Sequence, residues 1–251
     1  MAVQTHQTIE VDCHFDSFDS EDILSRISPL LEEDPDLRAR ISRIGDVCLD
    51  MLSPRGVYRL FNPAICTLPP SYTEPGIKLV GTMAVLRGKG VYDRLKKATH
   101  CAMLASTLGS DSAMEDLINR FDPTGSDRIA LSACMEFFSQ RACDMTNAAI
   151  VKDALERGLY TDDCLKPGED DFPLEAQSLI AFYTQSEKRL GIKVSGSELL
   201  PPGSCLGIVG LYDKSQKGRR RACGRCKYRD FCSIRAIGMT CHGRKGTFAK
   251  A

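Results

Sequence analysis

The chain has 251 residues, enough to bury a full core, with 43% hydrophobic residues and 33 basic against 33 acidic side chains. No apolar run approaches the roughly 18 residues that a membrane span needs, and the first ten residues lack the basic start and apolar centre of a signal peptide, so the protein reads as soluble and cytoplasmic. Twelve cysteines in such a chain read as reduced thiols rather than as a disulfide framework.

In chain order, Ser20-Glu-Asp-Ile23 has the pattern of an N-cap with acids in the first turn, and Asp36 takes the same place before Leu37, Ile41, Ile44 and Leu49. Gly56 to Leu60 and Ile77 to Leu86 read as strands, separated by a Pro-rich loop from Pro63 to Gly76. Arg87-Gly-Lys-Gly90 is a short turn that lacks the rest of a Walker phosphate cradle. Val91 to Lys97 is a brief helix. His100 to Thr107 is an apolar strand that ends at Leu108-Gly109, where glycine lets a partner approach the backbone.

Ser112 to Arg120 reads as a helix, and the longest helix runs from about Ser126 to Arg157. Leu131, Met135, Phe138, Ala142, Met145 and Ala149 recur in it at helical spacing and are expected to form its core stripe, with Glu136 beside them facing solvent. Cys48, Cys101, Cys134 and Cys143 sit among apolar residues and read as small core side chains. Cys164-Leu-Lys-Pro167-Gly168-Glu169 contains a tight turn, and Pro173 opens a helix that continues from Leu174 to Leu190. A second turn at Pro201-Pro202-Gly203-Ser204 delivers the strand Cys205 to Leu211.

The last stretch has a different chemistry. Cys223, Cys226, Cys232 and Cys241 follow the pattern C-x2-C-x5-C-x8-C, in which two thiolates reach one metal from a turn and two more complete a four-sulfur cage. A single C-x2-C knuckle followed by irregular spacing favours an iron-sulfur cluster of the 4Fe-4S type over zinc, with unmetallated thiols as the third reading, and Cys205 is an alternative to Cys241 as fourth ligand. Between Lys214 and Lys245 eleven Lys or Arg face one acid, Asp230, so the net charge of zero conceals a basic tail on an acidic body. Such a field lowers thiolate pKa values and suits an acidic protein partner or a phosphate backbone.

Taken together, the Ser-Thr107-Leu-Gly109 strand end, the Ala-Cys-Met-Glu136 helix segment, the Pro167-Gly168 turn before Phe172-Pro-Leu-Glu-Ala-Gln177, and Leu200-Pro-Pro-Gly-Ser204 before Ile208-Val-Gly-Leu211 resemble the activation domain of cobalamin-dependent methionine synthase, in its standalone form with a cysteine-rich tail. The resemblance runs from about Gly76 to Tyr212, plus the tail. It implies an α+β domain over residues 1–212, C-shaped, with a twisted antiparallel sheet and flanking helices, followed by a small cysteine-rich extension over 213–251. It also implies S-adenosylmethionine binding over a corrinoid protein or methionine synthase, so that inactive Co(II) cobalamin on that partner is reduced and remethylated. The positions carried over are Glu136 near the S-adenosylmethionine amino group, Thr107 at the strand end, and Lys166, Pro167 and Gly168 in the turn. Cys164 stands where the family has a carboxylate-clamping arginine, Glu169 replaces an aromatic residue, and Gly203 replaces a lysine. Lys166 is then the point charge left to meet a carboxylate.

Under this reading the tail cysteines relay an electron, and Arg219, Arg220, Arg221, Arg225 and Lys227 dock an acidic flavodoxin or ferredoxin. The alternatives are a zinc-held basic module for nucleic acid, disfavoured because only Tyr228 and Phe231 are available for base stacking, and a docking factor without catalysis. His6, His14, His100 and His242 show no ligand spacing among themselves, and neither a G-x-S-x-G elbow nor a dinucleotide glycine fingerprint is present.

Overall fold

The computed structural model describes residues 7–24, 36–70, 75–121, 125 and 127–214. The tail cysteines Cys223, Cys226, Cys232 and Cys241 and the basic residues around them lie outside the described residues.

Strand β1 (Thr8–Asp12) is not signalled by periodicity, because only Thr8 of its five residues is buried. In α1 (Ser20–Leu24) the cap is one residue earlier than expected: Ser20 is already helical, and Asp19 Oδ1 accepts the Glu21 N–H at 2.9 Å. Helix α2 (Leu37–Met51) begins after Asp36 as expected, although the Asp36 side chain makes no capping hydrogen bond. Strand β2 (Arg55–Phe61) follows. The expected loop from Pro63 to Gly76 contains β3 (Pro63–Cys66), which pairs with β4 (Gly76–Leu79). The expected strand Ile77 to Leu86 is a hairpin of β4 with β5 (Val85–Leu86), folded back through Gly81 at φ 79°.

Next come α3 (Lys89–Leu95), β6 (His100–Thr107), α4 (Asp111–Asn119), α5 (Asp127–Glu156) and β7 (Tyr160–Thr161). The single helix expected from Leu174 to Leu190 is two, α6 (Ala176–Thr184) and α7 (Ser186–Leu190), because Gln185 between them turns left-handed at φ 57°. A small hairpin of β8 (Lys193–Ser195) and β9 (Glu198–Leu200) leads to β10 (Cys205–Tyr212). No described helix is both long and apolar enough to cross a membrane, the 30-residue α5 included.

The fold divides into two units. The first comprises described residues 7–14, 53–70, 75–114 and 138–214 and holds every described strand. Its main sheet runs β1-β2-β6-β10-β7, antiparallel throughout. All eight residues of β10 are buried, as are seven of the eight in β6, so both read as continuous apolar runs rather than alternating ones. One face packs Cys101, Met103, Ala105, Leu206 and Ile208 against Phe172 and Ile180, and the other packs Ala102, Leu104, Val209 and Leu211 against Cys143, Ile150 and Ala154 of α5. Each large side chain so buried contributes about 1.5–3 kcal/mol.

The core stripe of α5 agrees with the expected one at Leu131, Phe138 and Ala142 and departs from it elsewhere. Ala130, Cys134, Phe138, Ala142, Thr146, Ile150 and Ala154 are buried at strict four-residue spacing, whereas Met135, Met145 and Ala149 are only half-buried. Small side chains win because the backbone approaches closely. A Cβ on Gly56 of β2 would lie 2.0 Å from Thr146 Oγ1, and Cys13 Sγ sits 3.7 Å from the same oxygen.

The second unit comprises described residues 15–24, 36–52, 115–121, 125 and 127–137 and is helical apart from its connections. Ile41, Ile44 and Cys48 of α2 form its core with Cys134, whose thiol donates to the Ile41 carbonyl at 3.7 Å. Burial pushes both the Cys48 and Cys134 thiols up to about 12. Arg43 pairs with Asp127 at 2.7 Å and lies over the Phe121 ring, 5.6 Å from its centroid. The expectation that Cys48, Cys101, Cys134 and Cys143 are core residues is met in both units.

Candidate functional site

Three stretches far apart in sequence meet at the start of β10, all within the first unit. Ser204 Oγ donates to Thr107 Oγ1 at 3.3 Å, and Cys205 stands opposite Ser106 in the ladder. Leu165 forms an antiparallel bridge with Ile208 through two backbone hydrogen bonds of 2.8 and 2.9 Å. This bridge fixes sidedness. Leu165 enters the face that holds Ile208 and Phe172, so the alternation of extended backbone turns Cys164 and Lys166 to the other face, toward Cys205 and Cys143.

The turn after Lys166 is tightly bonded. Lys166 N–H donates to Glu169 Oε2 at 3.2 Å, Glu169 N–H to the Lys166 carbonyl at 3.0 Å, and Gly168 N–H to the Phe172 carbonyl at 2.7 Å. Gly168 at φ 92° is suited to this bend, while Asp170 and Asp171, at 47° and 60°, are held in a region that L residues rarely occupy. The turn is kept there by the buried ring of Phe172 and by Arg94, which donates to the Asp163 carbonyl at 2.7 Å and to Asp170 Oδ2 at 3.3 Å. The glycines of Arg87-Gly-Lys-Gly90 serve the same end: a Cβ at Gly90 would lie 1.8 Å from the Asp170 carbonyl oxygen. They seat the turn, which accounts for them without a phosphate.

Of the residues expected to bind a cofactor, Lys166, Pro167 and Gly168 form this turn. Lys166 is half-buried and its ammonium donates to Gln140 Oε1 at 2.8 Å. Burial alone would lower its pKa, but Cys205, Cys143, Cys164 and Glu169 together outweigh that and hold it above the usual value, so it is a cation at neutral pH. Thr107 is fully buried, and its hydroxyl donates to the Gly109 carbonyl at 3.0 Å, so it ties the strand end to the turn at Ser204. Glu136 is exposed on α5 and belongs to the second unit.

The residues around Lys166 include some with no motif to announce them. Gln140 and Cys143 are interior positions of α5, and Cys205 is buried on β10 in the same cluster as Cys143. Among the described residues of this unit four buried side-chain atoms have no partner, Arg59 Nε, Ser106 Oγ, Asn147 Oδ1 and Gln177 Oε1, and Ser106 stands opposite Cys205 in the ladder. Such atoms cost free energy unless a water or a polar ligand satisfies them. Among the described residues no group of three or more His, Cys, Asp or Glu side chains is placed to hold a metal ion.

No family model and no curated protein sequence matches the chain. Among solved structures it is similar to the crystal structure of the MetH reactivation domain bound to AdoHcy, with 17% identity over 95% of this chain and 88% of that one and a TM-score of 0.48.

Proposed function

We propose that the chain binds S-adenosylmethionine and serves the reductive reactivation of a corrinoid protein, as its motifs imply. The observation that supports this most is the convergence at β10: the Thr107 strand end, the Lys166-Pro167-Gly168 turn and the Ser204 turn, spread over about a hundred residues of sequence, are gathered in one unit. A sulfonium methyl donor bound there makes reduction of Co(II) effectively irreversible by trapping the reduced cobalt as its methyl adduct. The protein's own part is to bind and orient.

In this reading Lys166 pairs with the carboxylate of the amino-acid moiety, and its half-buried setting strengthens that attraction relative to water. The unsatisfied oxygen of Ser106, opposite Cys205, offers hydrogen-bonding capacity that a polar ligand would use. Pro167 and Gly168 shape the turn. Electron delivery is assigned to Cys223, Cys226, Cys232 and Cys241 on their spacing alone.

Isothermal titration of S-adenosylmethionine into the full chain tests the reading. Saturable binding is expected, and Lys166→Ala should weaken it by roughly ten- to a hundredfold, the worth of about 1.5 to 3 kcal/mol for a hydrogen bond to a charged group. Absence of binding, together with no acceleration of Co(II) corrinoid methylation in the presence of a reductant, rejects it.

A further inference from the structure

Cys143, Cys164 and Cys205 come from α5, from the segment before the Lys166 turn, and from β10, and nothing in their spacing along the chain joins them. In the fold they form a string. Cys143 and Cys205 belong to one buried cluster, and Cys164 packs against it. The three differ in access, since Cys143 is 1% and Cys205 5% exposed while Cys164 is half-buried. A Cβ on Gly207 would lie 2.3 Å from Cys164 Sγ, so a glycine is what admits this sulfur to the β10 side of the group. Two residues on, the Lys166 ammonium adds a positive charge beside all three sulfurs.

We propose that Cys164 is a redox-modifiable thiol and that Cys143 is its resolving partner, so that oxidation by a small disulfide links α5 to the Lys166 turn through a Cys143–Cys164 bond. The Cys164 thiolate attacks one sulfur of the small disulfide, forming a mixed disulfide and releasing one thiolate. Cys143 then loses its proton and attacks the Cys164 sulfur, forming the internal bond and expelling the second thiolate. Two cysteines each give up one electron, and one small disulfide takes both to become two thiols.

The order of events follows from exposure and contact. A soluble oxidant meets Cys164 first because the other two sulfurs are covered. Cys143 resolves because it belongs to the cluster that Cys164 packs against. The hydrogen bond with Cys164 is the largest influence holding the Cys143 thiol above its ordinary pKa, the effect expected when Cys143 donates its proton toward Cys164. The Cys205 thiol is likewise held well above its ordinary value, by its interaction with Cys143 and by burial. A disulfide needs only two sulfurs brought to about 2 Å, and Cys164 lies outside any strand, where side-chain rotation can supply the movement.

The test uses the full reduced chain, oxidised with glutathione disulfide without oxygen, alkylated and mapped by peptide mass spectrometry, with circular dichroism to establish that the fold is retained. A peptide linking Cys143 to Cys164 that disappears on treatment with dithiothreitol is expected. Cys143→Ser should abolish the link and convert Cys164 from a minor to the main glutathione adduct among the cysteines of residues 7–214. A Cys143–Cys205 link in its place, an unreacted Cys164, or a stable Cys164 glutathione adduct in the unsubstituted chain would each overturn the assignment. The wild-type map decides the matter even if the serine variant fails to fold.

Discussion

Gly207 is the residue on which the thiol group depends most directly. Its missing side chain is occupied by Cys164 Sγ, with the Leu165 carbonyl oxygen next at 3.3 Å. Gly207→Ala is therefore expected to lower stability by about 1–3 kcal/mol in urea unfolding, the cost of overpacking a close contact. Adding Cys164→Ala removes the atom that is met, so the double variant should recover most of the loss. Simple additivity of the two would mean that the backbone of Leu165, not the thiol, is the obstacle. His100 gives a pH prediction. Burial, then the Arg157 charge, hold its imidazole below the usual 6.5 against the pull of Asp213. The folded chain then binds fewer protons than the unfolded one, so the stability that His100 permits is present above about pH 6.5 and is lost as pH falls through the lower folded value. His100→Gln should lose less stability than the wild type between about pH 7.5 and about pH 5.5 in paired urea titrations. An equal loss in both would place the pH dependence elsewhere.

At the scale of elements, the Lys166 turn is held from below by Phe172 and from the side by Arg94. Phe172→Ala should cost about 3–5 kcal/mol and speed hydrogen exchange at the Gly168 and Phe172 amides, with Phe172→Leu restoring most of both. Protection unchanged in the alanine variant would show that the turn holds itself. Elements buried on both faces were legible in the sequence: His100 to Thr107 and Cys205 to Tyr212 are unbroken apolar runs of strand length. Strand β3 was not, because Ala64 and Ile65 are exposed and Pro63 gives a loop signal at what is the edge of a three-stranded sheet. In α5 the eye is drawn to Met135 and Met145, and Ala142 is rightly expected in the core, but a helix laid closely on a sheet also selects Thr146 and Ala154. The turns at Pro167-Gly168 and Pro201 to Ser204 announced themselves, whereas their meeting at β10 is a matter of tertiary pairing that local pattern does not encode.

For the whole molecule, the body and the tail raise separate questions. The body places Lys166 beside three thiols, and none of Cys143, Cys164 or Cys205 lies within fifteen residues of another, so no spacing rule could have assembled them. The tail offers the reverse case, a ligand pattern plain in the sequence. If Cys223, Cys226, Cys232 and Cys241 hold an iron-sulfur cluster, the chain purified without oxygen should be brown, contain iron and sulfide in equal amounts, and lose both in Cys226→Ser. A colourless preparation loaded with zinc would remove the electron relay from the proposed function and leave the turn at Lys166 untouched.

Strand β10 is the last described strand to be synthesised, yet it lies between β6 and β7 in the finished sheet. On the ribosome, then, β6 must wait with one side unpaired and both faces greasy until the residues from Cys205 onward emerge. A chain cut short before that point would give not a smaller working domain but a sticky fragment, and the translating cell has to shelter the nascent chain until Tyr212 is out.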